Sequence, residues 1–292
     1  MAFLAVPQPF DFEHTTERFR VFGPDLATLW HEGGLHRVVD GREVRIEAAQ
    51  KQAVAGINPA TSEAASTSAA AGVDVHPLDE DTHPVVLKLV GAEFDLDAFL
   101  PRDRTLAALA ARLRGFRPPL APDAFEMLVG AISAQQISLR AALAVRNRFV
   151  ERFGVRAELA YGFPSRERVA RARREELTAL GFSGRKAEYI LALARADLDF
   201  AALATRADDE VKAALVQLPG IGEWTADWFL ARHLGRPRAW PAGDLALRKV
   251  VSAFYGDGRP LTTQEVREIG GRFDPFQNLS AHYLLLGNRL PG

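Results

Sequence analysis

The chain has 292 residues, enough for a large core and for two or three domains. Hydrophobic residues make up 48% and charged residues 25%, an ordinary soluble balance, and no cysteine is present. That excludes disulfides, thiolate zinc sites and cysteine-held iron–sulfur clusters. The formal net charge is −1, so any nucleic-acid contact needs a local basic face. The opening Met1 to Pro9 is apolar but too short for a leader and lacks a basic start, so a cytoplasmic location is expected. No apolar run reaches the roughly eighteen residues of a membrane span.

Residues 10–48 read as β-rich. Phe19 to Phe22 is a strand candidate ended by Gly23-Pro24, and Asp25 to Trp30 is a strand or one short turn. Leu35 to Val39 and Glu43 to Ile46 flank Asp40-Gly41, a two-residue hairpin signal. Residues 48–75 are rich in Ala, Ser and Thr without periodicity, the pattern of a mobile insertion. Pro84 to Val90 is the next strand candidate. Such a sheet needs a helix or neighbouring domain over one face.

From Asp95 the pattern becomes helical. Arg104 to Arg114 spaces Leu106, Leu109 and Leu113 on one face, and Pro118-Pro119 stops it. Pro122-Asp123 starts a helix to about Gln135, and Ser138 caps Leu139 to Phe153. The latter is expected to show a basic exposed face of Arg140, Arg146, Arg148 and Arg152. Shorter helices follow over Ser165 to Ala172 and Glu175 to Leu180, then a longer one over Gly184 to Ala196. Asp208 to Gln217 and Glu223 to Leu234 form a helical pair around a turn. Helices at Asp244 to Phe254, Thr263 to Phe273 and Asn278 to about Leu286 complete the chain. A sheet followed by many helices is an α+β arrangement with segregated parts. The division read from the pattern is 1–100 and 101–292.

The turn between the paired helices reads Leu218-Pro219-Gly220-Ile221-Gly222-Glu223-Trp224-Thr225-Ala226. Pro219 cannot continue a helix, while Gly220 and Gly222 allow positive φ and carry no Cβ. A turn of this kind can aim backbone N–H groups and a helix N-terminus at one anion, such as a phosphodiester. It can equally be an αα-turn with glycine caps. Asp244, at the start of a later helix, is well placed as an N-cap. A carboxylate brought back near the hairpin could also stabilise positive charge developing on a sugar C1′. Trp224 and Trp228 lie one turn apart, as a core pair or as aromatic walls for an electron-poor base.

Residues 218–226, with Pro241-Ala242-Gly243-Asp244-Leu245, resemble the helix-hairpin-helix DNA glycosylase superfamily, and within it the DNA-3-methyladenine glycosylase II branch. Gly130 to Ser138 with its Gln135-Gln136 pair, Phe163-Pro164-Ser165, Leu180-Gly181-Phe182 through Lys186-Ala187, and Arg272 to Phe276 resemble further elements of that branch. The likeness runs from about Pro118 to Tyr283 and is weaker over residues 1–100. There the resemblance implies a small antiparallel sheet domain like the TATA-binding protein.

It implies a monofunctional glycosylase of base excision repair. Such an enzyme flips an alkylated purine of the 3-methyladenine or 7-methylguanine type out of double-stranded DNA and hydrolyses its N-glycosidic bond. Asp244 would be catalytic. Trp224 stands where bifunctional relatives carry a lysine nucleophile, so no strand cleavage is expected. Trp224, Trp228 and Leu285 would form the base pocket, with Leu285 replacing a family tryptophan. Gln136, beside Gln135, falls at the wedge that fills the gap left by the flipped base. Gly220, Gly222, Thr225, Arg248 and Lys249 would bind DNA, mostly at phosphates. The carbonyls of Val216, Leu218 and Gly220 would hold a sodium or potassium ion, and no other cofactor is implied. The seven histidines show no ligand spacing. A monomer, nucleoid-associated in a bacterium, is expected. Alternatives are a glycosylase for ethenoadenine, hypoxanthine or oxidised bases, and a non-catalytic DNA-binding module.

Overall fold

The computed structural model describes residues 1–49 and 71–290. A five-stranded antiparallel sheet comes first, built from β1 (Ala2–Ala5), β2 (Thr28–His31), β3 (Gly34–Val39), β4 (Arg42–Ala48) and β5 (Gly72–His76) in the order β1-β5-β4-β3-β2. The β3–β4 hairpin turns at Asp40 and Gly41, both at positive φ (46° and 77°), as a two-residue connection with matching twist requires. Leu35 pairs with Ile46, and Ile46 with Val75, so one face of the sheet is apolar.

Two strand expectations are corrected. Phe19 to Phe22 belongs to a helical segment: α1 (Phe12–Thr16) is capped by the Asp11 side chain, and α2 (Arg18–Val21) follows directly. The Glu17 carbonyl accepts from the Arg20 and Val21 N–H groups. Pro84 to Val90 lies in and just after α3 (Thr82–Leu89). Its apolar run fits either period, and Pro84 falls in the first turn, where its missing N–H would have had no helical partner. Val86, Leu89 and Val90 then form the buried side of the helix over the apolar sheet face, against Val44, Ile46, Val73 and Val75. The expected insertion at 48–75 is also narrower than its composition suggests. Ala48 ends β4, and Val73 and Val75 are fully buried in β5 (Gly72–His76); residues 50–70 lie outside the described residues.

The helical part comprises α4 (Arg104–Arg112), α5 (Ala124–Ala134), α6 (Leu139–Phe153), α7 (Arg166–Ala170), α8 (Arg174–Ala179), α9 (Gly184–Arg195), α10 (Asp208–Leu215), α11 (Glu223–Arg232), α12 (Leu245–Tyr255), α13 (Thr263–Gly271) and α14 (Gln277–Arg289). Asp103, Asp123, Ser138, Ser165 and Ser183 each cap the next helix through the side chain, which is why their starts were readable. A short hairpin, β6 (Val155–Arg156) with β7 (Tyr161–Gly162), leans back on the sheet. There Glu43 Oε2 accepts the N–H groups of Leu159 (2.7 Å) and Ala160 (2.9 Å).

The apolar core forms two clusters, one within residues 4–92 and a larger one within 94–290. They are joined by a buried ionic network. Glu126 of α5 takes Arg37 of β3 at 2.5 and 3.0 Å and Arg146 of α6 at 2.5 Å, and Arg146 also reaches Asp25. Arg146 is therefore not on the exposed basic face expected for α6. Arg140, Arg148 and Arg152 remain exposed.

Candidate active site

The turn between α10 and α11 is a hairpin whose tip needs glycine. Gly220 has φ +80°, and a Cβ there would stand 2.2 Å from Tyr189 Cδ2. Gly222 has φ −105° and open space at its Cβ position, so its smallness serves access rather than fit. The Gly220 and Gly222 N–H groups have no protein acceptor among the described residues. They add to the free N–H groups of the first turn of α11. Glu223, the first residue of α11, pairs with Arg267 at 3.2 Å.

The loop from His233 to Gly243 brings the chain back to the hairpin. Asp244 caps α12, its Oδ1 accepting from Leu247 N–H at 2.8 Å. Its Oδ2 accepts two indole N–H groups, from Trp224 at 2.8 Å and Trp228 at 3.0 Å. One carboxylate thus takes three donors while remaining partly open to solvent. Charge-assisted donors of this kind fix the direction of the carboxylate. Capping and a chemical role coexist in one side chain. A cavity of about 310 Å³, lined by Lys212, Asp227, Trp240 and Gln277 among others, lies on a different side of α11, and Trp224, Trp228 and Asp244 do not line it.

Several expected roles need correction. Trp228 is only 5% exposed. Its ring faces the Arg232 guanidinium at 3.9 Å, and His282 meets it edge-on at 5.9 Å. It is a buried holder of Asp244, not an open stacking wall. Trp224, half-buried, is the indole left at the surface of the site. Leu285 is packed in the core, because α14 is buried along nearly its whole length, so it offers no open wall. Thr225 is 1% exposed and its N–H bonds to Gly222 O, which leaves nothing for DNA. Arg248 turns toward the Leu261 carbonyl at 3.2 Å, away from an open phosphate-binding pose. Lys249 is exposed.

Gln135 is not free either. Its amide donates to the Gly220 carbonyl at 2.8 Å, tying the end of α5 to the hairpin. Gln136 stands exposed at the tip of the α5–α6 loop at φ +60°. Ile137 and Leu139 beside it are exposed apolar residues that sequence reasoning did not single out. The carbonyls of Leu218 and Gly220 each accept one protein donor, Ile221 N–H and the Gln135 amide. Each keeps a second lone pair for a cation.

The arrangement also contains groups that no sequence motif marked. Arg232, down to about 9, is held below its ordinary pKa by burial and then by the neighbouring Arg18 charge, with Asp244 acting against them. His282 is pushed well below the usual imidazole range by burial and then by Arg232, Arg18 and Arg289. Arg289 is paired with Glu17 at 2.8 and 3.0 Å.

A glycine hairpin that presents free amides thus stands beside a clamped carboxylate. The family model described as "HhH-GPD superfamily base excision DNA repair protein" matches residues 129–273. A DNA-3-methyladenine glycosylase of Bacillus subtilis is 30% identical over 226 residues, covering 72% of this chain and 75% of the relative. The solved 3-methyladenine DNA-glycosylase from Archaeoglobus fulgidus superposes with a TM-score of 0.82 at 29% identity, covering 99% of both chains. A Schizosaccharomyces pombe 3-methyladenine DNA glycosylase in complex with abasic DNA is 26% identical, with a TM-score of 0.56 over 64% of this chain and 93% of its own. The chain belongs to the HhH-GPD superfamily of base excision DNA repair proteins, in its DNA-3-methyladenine glycosylase branch.

Proposed function

We propose that this protein is a DNA glycosylase that excises alkylated purines from double-stranded DNA by hydrolysis of the N-glycosidic bond. The observation that carries this is the Asp244 carboxylate, aimed by Trp224, Trp228 and Leu247 beside the hairpin. The family relationship supplies the substrate class.

As the C1′–N bond lengthens, positive charge develops on the sugar, and a carboxylate fixed before the reaction stabilises it without reorganising. Three N–H donors hold the Asp244 carboxylate in one orientation, so its contribution is assigned to electrostatics. The base leaves with the C1′–N bonding electrons, and water adds at C1′ and gives up a proton to solvent. The indole of Trp224 replaces an amine at the hairpin, which favours hydrolysis alone over strand cleavage. The free amides of Gly220 and Gly222 would grip a phosphodiester, with exposed Lys249 adding charge. The tip at Gln136 and Ile137 would fill the space left by the extruded base. A sodium or potassium ion on the carbonyls of Val216, Leu218 and Gly220 would add positive charge beside that phosphodiester. The protein would act as a cytoplasmic monomer, with residues 1–100 as a sheet domain and 101–292 as the glycosylase unit.

The test is release of methylated bases from alkylated duplex DNA by the wild type and by Asp244→Asn. Asparagine can still cap α12 but carries no charge. Base release falling by about a hundredfold or more, with an unchanged melting temperature, fits the proposal. Undiminished release by the variant would reduce the hairpin to a DNA clamp. Alkali-dependent strand breaks, with none before alkali, would mark the reaction as hydrolysis alone.

A further inference from the structure

The cavity of about 310 Å³ beside α11 is separate from the Asp244 site. Residues of α10, α11, α13, α14 and the loop before α12 enclose it. One wall is a fixed aromatic ring. Trp240 donates its indole N–H to the Val266 carbonyl at 2.9 Å and packs on Phe273 with ring centroids 5.6 Å apart. Gly270 makes room for that ring, since a Cβ there would stand 2.4 Å from Trp240 Nε1. Glycine weakens a helix, so α13 gives up stability to seat the wall. The polar groups of the cavity are unequally used. Each lining cation already holds an acid: Lys212 takes Asp227 at 2.5 Å, Arg238 takes Asp274 at 2.7 Å and Arg267 takes Glu223 at 3.2 Å. Asp208 is paired with Arg236 at 3.2 Å, whereas Asp209, exposed at the rim, forms no salt bridge among the described residues. Gln277 lines the cavity and is only 8% exposed. Its amide nitrogen donates to Asp274 Oδ1 at 3.1 Å, which fixes the amide and leaves Oε1 buried without a donor. The surplus is therefore of acceptors.

We infer that this cavity is a binding site for a short aliphatic diamine, with one ammonium on Gln277 Oε1, the other at Asp209 and the methylene chain against Leu230 and Trp240. A buried acceptor without a donor is costly, so the site favours a ligand that brings N–H groups. The end of α13 at Gly271 also meets this space, and the carbonyl end of a helix carries partial negative charge. An anion would find no free cation here, because Lys212, Arg238 and Arg267 are all taken. Leu230, Ala239 and the Trp240 ring give the chain between the two ammoniums an apolar lining, and an aromatic face attracts ammonium groups. Lys212 belongs to α10 and Asp227 to α11, so an occupant braces both helices of the hairpin against α13 and α14. The inference does not depend on the glycosylase reading.

The experiment is isothermal titration of the whole chain with 1,4-diaminobutane at fixed ionic strength. Butylamine, with a single ammonium, and succinate, with the charge reversed, are the controls. The diamine should bind at a single site with a dissociation constant at or below about 1 mM. Butylamine should bind about threefold to fivefold more weakly, the worth of an exposed ion pair. Asp209→Asn should bring the diamine down to the level of butylamine and leave butylamine unchanged. Asp209 is exposed, so this variant should keep the wild-type melting temperature. Gln277→Leu should weaken both amines by about tenfold or more. Absence of diamine binding up to about 10 mM, or tighter binding of succinate, overturns the inference. Diamine binding that both variants leave unchanged also overturns it, since that outcome marks loose association with acidic surface. None of these outcomes bears on base release at Asp244.

Discussion

Trp228 donates its indole N–H to Asp244 Oδ2 at 3.0 Å, from a position almost closed to solvent. Trp224 reaches the same oxygen from one turn earlier on α11 at 2.8 Å. The i,i+4 spacing thus supplies two aligned donors to one carboxylate oxygen, while the N-cap bond fixes the other. The pair is a device for orienting charge before it is represented to any base.

Trp228→Phe keeps most of the buried ring and removes one of these donors. A hydrogen bond to a charged group is worth about 1.5–3 kcal/mol, so the single-turnover excision rate should drop by about tenfold or more. DNA affinity should change little, because Trp228 has almost no open surface. Single-turnover rates and binding isotherms, measured on one alkylated duplex, separate the two effects. A rate within about twofold of wild type would show that Trp224 and the cap suffice to aim Asp244.

The two hairpin glycines should respond differently to a methyl group. Gly220→Ala forces a side chain into a left-handed conformation and onto Tyr189, with Cβ at 2.2 Å from the ring. Strain of this sort costs about 1–3 kcal/mol, so its melting temperature should fall. Adding Tyr189→Ala should recover part of the loss by removing the clash. Gly222→Ala meets open space at ordinary φ, so its melting temperature should stay near that of wild type. Its methyl would stand over the amides offered to phosphate, and duplex affinity should fall. Thermal denaturation beside salt-dependent binding distinguishes these cases.

The difference between hairpin and pocket also explains what the sequence could reveal. The hairpin was legible because its chemistry is local: Pro219, Gly220 and Gly222 carry their backbone demands in a few consecutive residues. Helix starts were legible for the same reason, through Asp and Ser caps. Pro84 to Val90 reads either way because seven apolar or amphipathic residues in a row do not declare a period, and only the sheet face against α3 decides. The strands β1 and β5 were missed because each is short and finds its partner far along the chain. The cationic group around Trp228 was invisible in principle. Arg18, Arg232, His282 and Arg289 come from α2, α11 and α14, and only tertiary packing brings them together. The same holds for Trp228, whose spacing fits a wall and a clamp equally well until its neighbours are known.

The join between sheet and helices gives a stability prediction. Arg37 and Arg146 share the buried Glu126, and Asp25 completes the network. Removing one partner leaves uncompensated charge in a dry site, which costs about 3–5 kcal/mol. Arg37→Met should therefore lower the denaturant midpoint strongly. Arg37→Met combined with Glu126→Gln should recover part of the loss, because the remaining Arg146 and Asp25 form a neutral ion pair. Chemical denaturation of the single and double variants measures this directly.

Acid sensitivity should arise from buried histidine. His233 is nearly closed to solvent, and burial, reinforced by the Lys88 charge, pushes its pKa down to about 4. Its Nδ1 lies 2.8 Å from the Ala121 carbonyl, and Phe229 packs against the ring at 4.9 Å. Lys88 Nζ donates to the His233 carbonyl at 3.2 Å, so a positive charge already sits beside it. In the unfolded chain the same imidazole takes a proton near its ordinary pKa of about 6.5. The folded state does not accept one until about pH 4. Stability from this residue is thus complete above about pH 6.5, and is lost as pH falls toward 4. Across that window the unfolded state binds the extra proton, at a cost to folding of roughly 3 kcal/mol. His282, shifted in the same direction, adds to the slope. The melting temperature should therefore fall steeply between about pH 6.5 and pH 4. His233→Gln removes the titrating group, and its melting temperature should be lower near neutral pH but decline less across the acid range. A slope equal to that of the wild type would mean that carboxylate protonation, not imidazole protonation, governs the acid loss.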